Sequence, residues 1–373
     1  MRMRMAEAMR SGLSGALLAT LALSAPGIGC AGADEQAQPD PVIEEMLAQI
    51  RTGTDPAYVY EYEKTRFVPP PGKTLLIMGQ TLEAMNQYMD SFPDRPLPGG
   101  WAAYWGIPGI DGVMTTATNE TGSSQNHQAL VDRFPNSVLQ SALWMVGKWD
   151  VLKKAESGEY DAVVRQFSAW AKTVSRPIYL RIGYEFDGKH NELEPASYVR
   201  AYRRIVDLIR AEGVDNIAFV WHSYAAPSYM GHPLSAWYPG DDYVDWVGIS
   251  LFGHLYASEL SAEADAVFDF AREYKKPVIV AEASPIGGIE QDNLVAWNTW
   301  FVNFFSLIHN RNVKAISFIN EDWGSISIEG LSGWKDARLQ NNAKISRAWF
   351  RETGKDRYLK QSPDLFSSLG YAP

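Results

Sequence analysis

Two glutamates are the residues whose type and position most clearly suggest chemistry. Glu185 ends the apolar run over residues 177–185, and Glu282 ends a second run over residues 276–282. A carboxylate at the end of a buried strand costs free energy unless it has a partner or a function. If both strand ends share one opening, the two carboxylates could cleave a glycosidic bond, one of them protonated and the other ionised.

The elements that must position these glutamates are visible as eight apolar runs, each bounded by polar or turn-forming residues. Their starts lie about 27 to 40 residues apart, which is the length of one strand and one helix in an alternating barrel. Amphipathic segments lie between several runs, for example residues 198–209, in which apolar side chains recur at helical spacing. The runs cover residues 74–78, 101–105, 138–144, 178–182, 217–221, 244–249, 278–281 and 315–319.

This alternation predicts an α/β fold with one domain, a (β/α)8 TIM barrel over residues 57–373. A doubly wound sheet is less favoured, because no Gly-x-Gly-x-x-Gly motif follows the first strand. In the barrel, Glu185 closes the fourth strand and Glu282 closes the seventh. Active sites of such barrels lie at the C-terminal ends of the strands, so we expect the two carboxylates to face one cleft.

The first thirty residues are typical of an export signal. A basic leader precedes an apolar run over residues 13–25 that is too short to span a bilayer. Cys30, the only cysteine, follows, and the segment resembles a bacterial lipoprotein signal. We therefore expect residues 1–29 to be a signal peptide and Cys30 to be lipidated, with soluble secretion after a cleavage site at residues 31–33 as the alternative. Residues 30–56 contain few apolar side chains and are expected to form a flexible linker.

The composition excludes several classes of protein. Hydrophobic residues make up 46% of the chain and charged residues 21%, as in ordinary soluble proteins. The formal net charge of −10, with no basic stripe, argues against a nucleic-acid partner. The six histidines form no His-x-x-x-His pair and the acidic residues match no calcium loop, so neither a metal nor another cofactor is expected.

Several motifs make the chemistry more specific. Residues 181–188 read Arg-Ile-Gly-Tyr-Glu-Phe-Asp-Gly, and residues 277–282 read Pro-Val-Ile-Val-Ala-Glu. Together with residues 198–205, 216–221 and 237–248, they resemble glycoside hydrolase family 26. The resemblance implies a retaining (β/α)8 hydrolase with Glu185 as the acid/base and Glu282 as the nucleophile.

One residue departs from the pattern of that family. Its mannanases usually carry a histidine directly before the acid/base glutamate, where this chain has Tyr184. A tyrosine hydroxyl can donate a hydrogen bond to a sugar or a carboxylate, but it cannot become cationic near neutral pH. Tyr184 therefore makes the choice of mannan as the substrate less secure, while the mechanism is unaffected.

Residues at the ends of strands four and five are candidates for substrate binding. Arg181 lies four residues before Glu185 and either orients a carboxylate or forms a purely structural ion pair. Trp221 and His222 end the fifth strand, where His222 either bonds a sugar hydroxyl or caps the strand mouth.

Aromatic residues near other strand ends are further candidates for substrate binding. The resemblance implies a tyrosine beside the nucleophile, for which Tyr256 is the candidate, and a tryptophan floor under the reacting sugar, for which Trp323 is the candidate. Trp105 and Trp149, near the ends of strands two and three, could stack outlying sugars or belong to the core.

The sequence thus predicts an exported, retaining endo-β-glycanase, a monomer that acts on β-mannan or a related polymer. Its partners would be a polysaccharide or oligosaccharide and, through a lipid at Cys30, a membrane. It would be a lipoprotein of the cell envelope, or a periplasmic or secreted protein. Two alternatives stay open. One keeps the mechanism but changes the polymer, to β-1,3-xylan or β-glucan, or makes the enzyme exo-acting. The other is a non-catalytic carbohydrate-binding lipoprotein on the same scaffold.

Overall fold

The computed structural model describes residues 40–119, 122–145, 149–227, 231–257, 259–326, 331 and 333–372. The predicted signal peptide and Cys30 lie outside these residues. Among the described residues, none of the helices is long and apolar enough to cross a membrane.

Eight parallel strands form a closed barrel, in which each strand pairs with its neighbours along the chain and the last pairs with the first. Each of the eight predicted strands is present, so the predicted (β/α)8 TIM barrel is confirmed. The strands are β1 Thr74–Gly79, β2 Gly100–Gly106, β3 Val138–Trp144, β4 Ile178–Ile182, β5 Ile217–Ser223, β6 Trp246–Leu251, β7 Val278–Ala283 and β8 Ala315–Ile319.

The helices flank this barrel. The described part of the connection between β5 and β6 contains the 3₁₀ segment Leu234–Trp237. A short strand, Tyr358–Leu359, extends the sheet beside the start of β1. The α-helices are α1 Pro41–Ala48, α2 Leu82–Ser91, α3 His127–Arg133, α4 Trp149–Ser157, α5 Asp161–Thr173, α6 Pro195–Ala211, α7 Ala262–Glu273, α8 Val302–Asn310, α9 Ala343–Thr353 and α10 Leu365–Ser368.

Alternation along the strands separates two apolar cores. In β5, for example, Phe219 and Trp221 pack in the core between strands and helices, whereas Ala218 and Val220 pack in the barrel interior. Successive side chains of a strand point to opposite faces, so His222 follows Val220 on the inner face. A residue at a strand end reaches the cleft only if it belongs to that inner face.

Local sequence explains the position of the long helix α6. Glu194 accepts hydrogen bonds from the backbone N–H groups of Ala196 and Ser197, and Pro195 occupies the first helical position. Buried side chains then recur at helical spacing along one face. This helix packs behind the loop that follows β4 and so supports the segment that carries Glu185.

The predicted flexible linker, residues 30–56, is not a free chain where the structure describes it. Residues 41–48 form α1, which Asp40 caps through a hydrogen bond from Val42 N–H. Ile43 and Met46 lie three residues apart and are buried in the main core. These few apolar residues are sufficient to dock a short helix of about two turns, which the polar composition of the segment does not indicate.

Candidate active site

A bulge in β7 directs Glu282 toward the barrel axis. Ile249 pairs with Val280 and Ser250 pairs with Glu282, so β7 has one extra residue between these two pairs. The pairing with β8 shifts at the same place. Successive residues of a strand normally point to opposite faces, but the extra residue interrupts this alternation. Ala281 and Glu282 therefore both point into the barrel interior.

Two inward-facing side chains bind one oxygen of Glu282. Arg181 Nη1 donates to Oε1 at 2.5 Å, and the Tyr104 hydroxyl donates to the same oxygen at 2.6 Å. The Tyr104 hydroxyl also lies 2.6 Å from the side-chain oxygen of Gln80. Among the described residues no group hydrogen-bonds to Oε2, so this oxygen is the one available for attack on a substrate.

The pKa of the Glu282 carboxyl is raised above its ordinary value by its buried setting. Burial has the largest influence and raises the pKa of the Glu282 carboxyl, and the nearby charge of Glu185 acts in the same direction. The guanidinium of Arg181 and the hydrogen bond from Tyr104 lower that pKa. A nucleophile must be ionised, and the charge of Arg181 is the largest influence that favours the ionised form of this buried carboxyl.

Glu185 lies three residues beyond the end of β4, in a turn rather than in the strand. Its backbone φ is +53°, in the left-handed region, and Gly183 has a φ of +54°. Asn191 Nδ2 donates to the carbonyl oxygens of Tyr184 and Glu185, at 2.9 and 2.8 Å, and fixes the turn. A non-glycine residue held in this backbone region is a recurrent feature of active sites.

Both oxygens of Glu185 have partners. The Ser250 hydroxyl donates to Oε1 at 2.5 Å, and His190 Nε2 lies 2.7 Å from Oε2. Burial lowers the pKa of His190, but the hydrogen bond and the charge of Glu185 outweigh that effect, so the pKa is raised. The side chain of His190 is half exposed, so this residue links the buried carboxyl to solvent.

A chain of hydrogen bonds connects the two glutamates. Arg181 Nη1 lies 3.3 Å from His222 Nδ1, and His222 Nε2 lies 3.0 Å from Ser250 Oγ. Burial, followed by the charge of Arg181, holds the pKa of His222 well below its usual range, so the imidazole is neutral. Arg181 can only donate, so His222 Nδ1 must accept and the imidazole proton lies on Nε2. His222 Nε2 then donates to the Ser250 oxygen, and the Ser250 hydroxyl donates its own proton to Glu185.

The spacing of the carboxylates follows from the same contacts. Ser250 is the direct partner of Glu282 in adjacent strands, and its hydroxyl contacts Glu185. Paired strands lie about 5 Å apart. The two carboxyls therefore occupy one small space, close enough for the charge of Glu185 to raise the pKa of Glu282.

The predicted role of Arg181 as the residue that orients a carboxylate agrees with its contacts. Its side chain is fully buried, and its guanidinium carbon lies 5.0 Å from the ring centre of Tyr104 and 5.2 Å from that of Tyr184. Tyr184 therefore lies inside the site, with its ring edge-to-face against Tyr104. Its neighbour His222 is fully buried and bonded on both ring nitrogens, so it supports the carboxylates and does not contact a sugar.

Two predicted substrate-binding tryptophans are corrected by the structure. Trp221 is fully buried, stacks on Phe186 and donates to the carbonyl of Trp237. Trp105 stacks on Phe167 at a centroid distance of 4.4 Å. Both occupy the outward face of their strands and pack against the helices, because the adjacent residues, His222 and Tyr104, occupy the inward face.

The remaining predicted aromatic residues have different positions. Trp323 is buried beside the cleft, and its Nε1 donates to Ser284, two residues after Glu282. The Tyr256 hydroxyl accepts a hydrogen bond from Gly287 N–H, which places Tyr256 among the loops after β6 and β7 and not on the nucleophile. Trp149 begins α4, and its side chain is outside the described set.

Sequence reasoning missed four residues of this site: Tyr104, Ser250, His190 and Gln80. Tyr104 could have been found from the alternation of β2, since its neighbours Ala103 and Trp105 are the more apolar pair on one face. Ser250 could have been found in the same way, since Val247, Ile249 and Leu251 form the apolar outer face of β6. His190 depends on a folded turn and leaves no such signal in the sequence. No group of three or more His, Cys, Asp or Glu side chains suited to a metal ion occurs in the described part of the chain.

Comparisons with known proteins agree with this geometry. Residues 145–319 match the model of Glycosyl hydrolase family 26. The chain is 29% identical to β-1,3-xylanase TXYA from Vibrio sp. over 333 residues, which are 82% of this chain and 70% of that protein. It is 28% identical to a β-1,3-xylanase from Alcaligenes sp., again over 82% of this chain and 68% of that protein.

Solved structures support the fold. An endo-β-1,4-mannanase from Cellulomonas fimi aligns with a TM-score of 0.53 and 16% identity, over 81% of this chain and 74% of that one. The mannanase BCman from Bacillus subtilis aligns with a TM-score of 0.52 and 13% identity, over 87% and 93%. The match of residues 145–319 to the family 26 model, the barrel and the paired carboxylates together identify the chain as a glycoside hydrolase.

Proposed function

We propose that this enzyme hydrolyses internal bonds of a β-glycan with retention of configuration, and that its substrate is β-1,3-xylan. The observation that carries the mechanism is the placement of Glu185 and Glu282 in one small space, linked through Ser250, His222 and Arg181. Closely spaced carboxyls, one free to attack and one able to hold a proton, are the requirement for double displacement.

In the first step, Oε2 of Glu282 attacks the anomeric carbon and the bond to the leaving oxygen breaks. Glu185 gives its proton to that oxygen, so the leaving chain departs as an alcohol and the sugar stays bound covalently to Glu282. Arg181 and Tyr104 hold the other oxygen of Glu282, so the attacking atom keeps its position.

In the second step, water takes the place of the departed chain. Glu185, now ionised, removes a proton from the water while the water oxygen attacks the anomeric carbon, and the bond to Glu282 breaks. Glu185 regains its proton and Glu282 its charge, so the enzyme returns to its starting state. Two successive inversions give net retention.

The polymer is proposed on different grounds. Two relatives that align over 82% of the chain are β-1,3-xylanases. The mannanases are similar in fold at low sequence identity, which says little about the sugar. Tyr184, inside the site next to Tyr104 and Arg181, also differs from the histidine usual in family mannanases.

A polysaccharide panel tests the proposal. The purified barrel would be incubated with β-1,3-xylan, β-mannan, mixed-linkage β-glucan and β-1,4-xylan, with Glu282→Gln as the matched inactive control. We expect reducing ends and a ladder of oligosaccharides from β-1,3-xylan, with the new anomeric centre in the β configuration by proton NMR in the first minutes.

Each other outcome has a distinct meaning. Release of a single small product from chain ends would indicate exo action, and an initial α-anomer would overturn retention. Activity confined to β-mannan or β-glucan would overturn the choice of xylan but keep the mechanism. Retarded migration in a polysaccharide gel without any new reducing ends would support the non-catalytic binder.

We also propose export with a lipid on Cys30. The support is the sequence alone: a basic leader, a short apolar run and a single cysteine directly after it. Expression of the full chain and of Cys30→Ser in a bacterial host, with labelled palmitate, would test this. Label in the first protein only is expected, and no label in either, with secreted product, would favour soluble secretion.

A further inference from the structure

Trp144, the last residue of β3, is a large aromatic residue at the barrel mouth that the mechanism does not use. Its side chain is 50% exposed, whereas the six residues before it in the strand are buried. Burying an indole ring is strongly favourable, and an exposed ring at the edge of a cleft is a common feature of ligand sites.

The direction of this side chain follows from the register of β3. Gln140 lies inside the barrel, because its Nε2 donates at 2.9 Å to the carbonyl oxygen of Ala281 in β7. Residues two and four positions later in a strand share the same face. Ala142 and Trp144 therefore also face the barrel axis, and Trp144 is the outermost of the three.

Its height above the reacting groups also follows from strand pairing. Tyr104, which contacts Glu282, pairs with Ala142, and Gly106 pairs with Trp144. Two residues advance a strand by roughly 6–7 Å. Trp144 thus lies one layer of side chains outside the layer that holds the nucleophile.

Gly106 leaves the ring uncovered. A Cβ atom at this position would lie 3.1 Å from Cε3 of Trp144, so the indole rests on the backbone of the neighbouring strand. A glycine on the inward face of β2 adds no side chain that would compete with a ligand for the ring. The indole thus lies against the backbone of β2, and half of its side-chain surface is exposed.

We propose that Trp144 is a stacking platform for a pyranose ring of the glycan, in a subsite next to the one where the bond is cleaved. The C–H groups on one face of the sugar would pack on the indole, while the hydroxyl groups at the ring edge stay in water. This inference rests on the proposed function, because it takes the occupant of the cleft to be a β-glycan chain.

The test compares Trp144→Ala and Trp144→Phe with wild type on oligosaccharides of increasing length and on the polymer. We expect Trp144→Ala to raise KM for the longer substrates about tenfold, because one aromatic contact with the sugar is lost. Trp144→Phe should raise KM less, because phenylalanine keeps an aromatic ring. Val295→Ala, which alters another exposed apolar side chain, is the control and should behave as wild type. The melting temperatures of the variants are compared to exclude misfolding.

Gel retardation by the same glycans separates this inference from the proposed function. If wild type has no hydrolytic activity but is retarded, and Trp144→Ala is not, hydrolysis is overturned and the platform is supported. If wild type and Trp144→Ala bind and turn over all chain lengths equally, the platform is overturned. If neither protein binds or cleaves any glycan of the panel, both are overturned.

Discussion

Glu282 and Glu352 are two buried glutamates with the same kinds of partners. Each accepts a hydrogen bond from a tyrosine hydroxyl, from Tyr104 at 2.6 Å and from Tyr358 at 3.2 Å. Each also contacts basic side chains: Arg181 in the first case, and Lys355 and His309 in the second. The chemistry of the immediate partners therefore does not distinguish a catalytic carboxylate from a structural one.

What distinguishes them is how completely the carboxylate is bound. Oε1 of Glu352 contacts His309 and Tyr358 while Oε2 contacts Lys355, and the residue is fully buried. Glu282 has both of its described hydrogen bonds on Oε1, and a second carboxylate nearby raises its pKa. A carboxylate with one open oxygen and an acidic neighbour is suited to react, whereas one bound on both sides stabilises the fold.

The largest effect is expected from Glu282→Gln. The amide keeps an oxygen acceptor for Arg181 and Tyr104 but cannot attack the anomeric carbon, so kcat should fall by at least about a thousandfold. Initial rates on the active polymer measure this. Wild-type rates from a folded Glu282→Gln protein would show that this carboxylate is not the nucleophile.

Arg181→Met is expected to have the next largest effect. Without the guanidinium, burial and the charge of Glu185 raise the pKa of Glu282 further, so the nucleophile is protonated at neutral pH. We expect kcat/KM to fall about 10²–10³-fold at pH 6 and the acidic limb of its pH profile to move to higher pH. Arg181→Lys, which keeps a positive charge, is the control and should shift that limb less.

An unchanged acidic limb in Arg181→Met would mean that Arg181 only fills space under Tyr104 and Tyr184. The fold is monitored by circular dichroism, since removal of one member of a buried ion pair costs about 3–5 kcal/mol.

The predictability of these features depends on the range of the interactions behind them. Strand positions follow from apolar runs of four to seven residues, and all eight were visible in the sequence. The strands that carry Glu185 and Glu282 were therefore also predictable. The inward face was not assigned to single residues, and for that reason Trp105 was chosen over Tyr104 and Trp221 was treated like His222.

Other features of the site are set by contacts between distant segments. The bulge that turns Glu282 inward is defined by pairing with β6 and β8, and no pattern within residues 278–283 reveals it. His190 reaches Glu185 only because the turn after β4 folds back through Asn191. Short-range periodicity carries no information about either.

Glu352→Gln tests the structural side of the comparison. The amide cannot serve Lys355 and His309 as an anion does, so we expect the free energy of unfolding to fall by about 3 kcal/mol. Denaturant midpoints for wild type and variant measure the loss. The kcat per folded molecule should stay at the wild-type value, and a large drop in kcat without a loss of stability would contradict the distinction between the two glutamates.

His190→Gln is expected to have the smallest effect, and one that depends on pH. His190 Nε2 lies 2.7 Å from Glu185 Oε2, and catalysis needs a proton at this contact to give to the leaving oxygen. Burial lowers the pKa of His190, but the hydrogen bond to Glu185 and the charges of Glu185, Glu282 and Asp187 outweigh it, so His190 keeps its proton to higher pH than an ordinary histidine. Glutamine can donate to Glu185 but does not titrate, and the basic limb of kcat/KM should therefore move to lower pH, with rates near the optimum little changed.

The Trp144→Phe variant, changed outside this pair, should keep the wild-type basic limb. If His190→Gln also keeps it, the histidine only stabilises the turn after β4 and takes no part in the proton transfer.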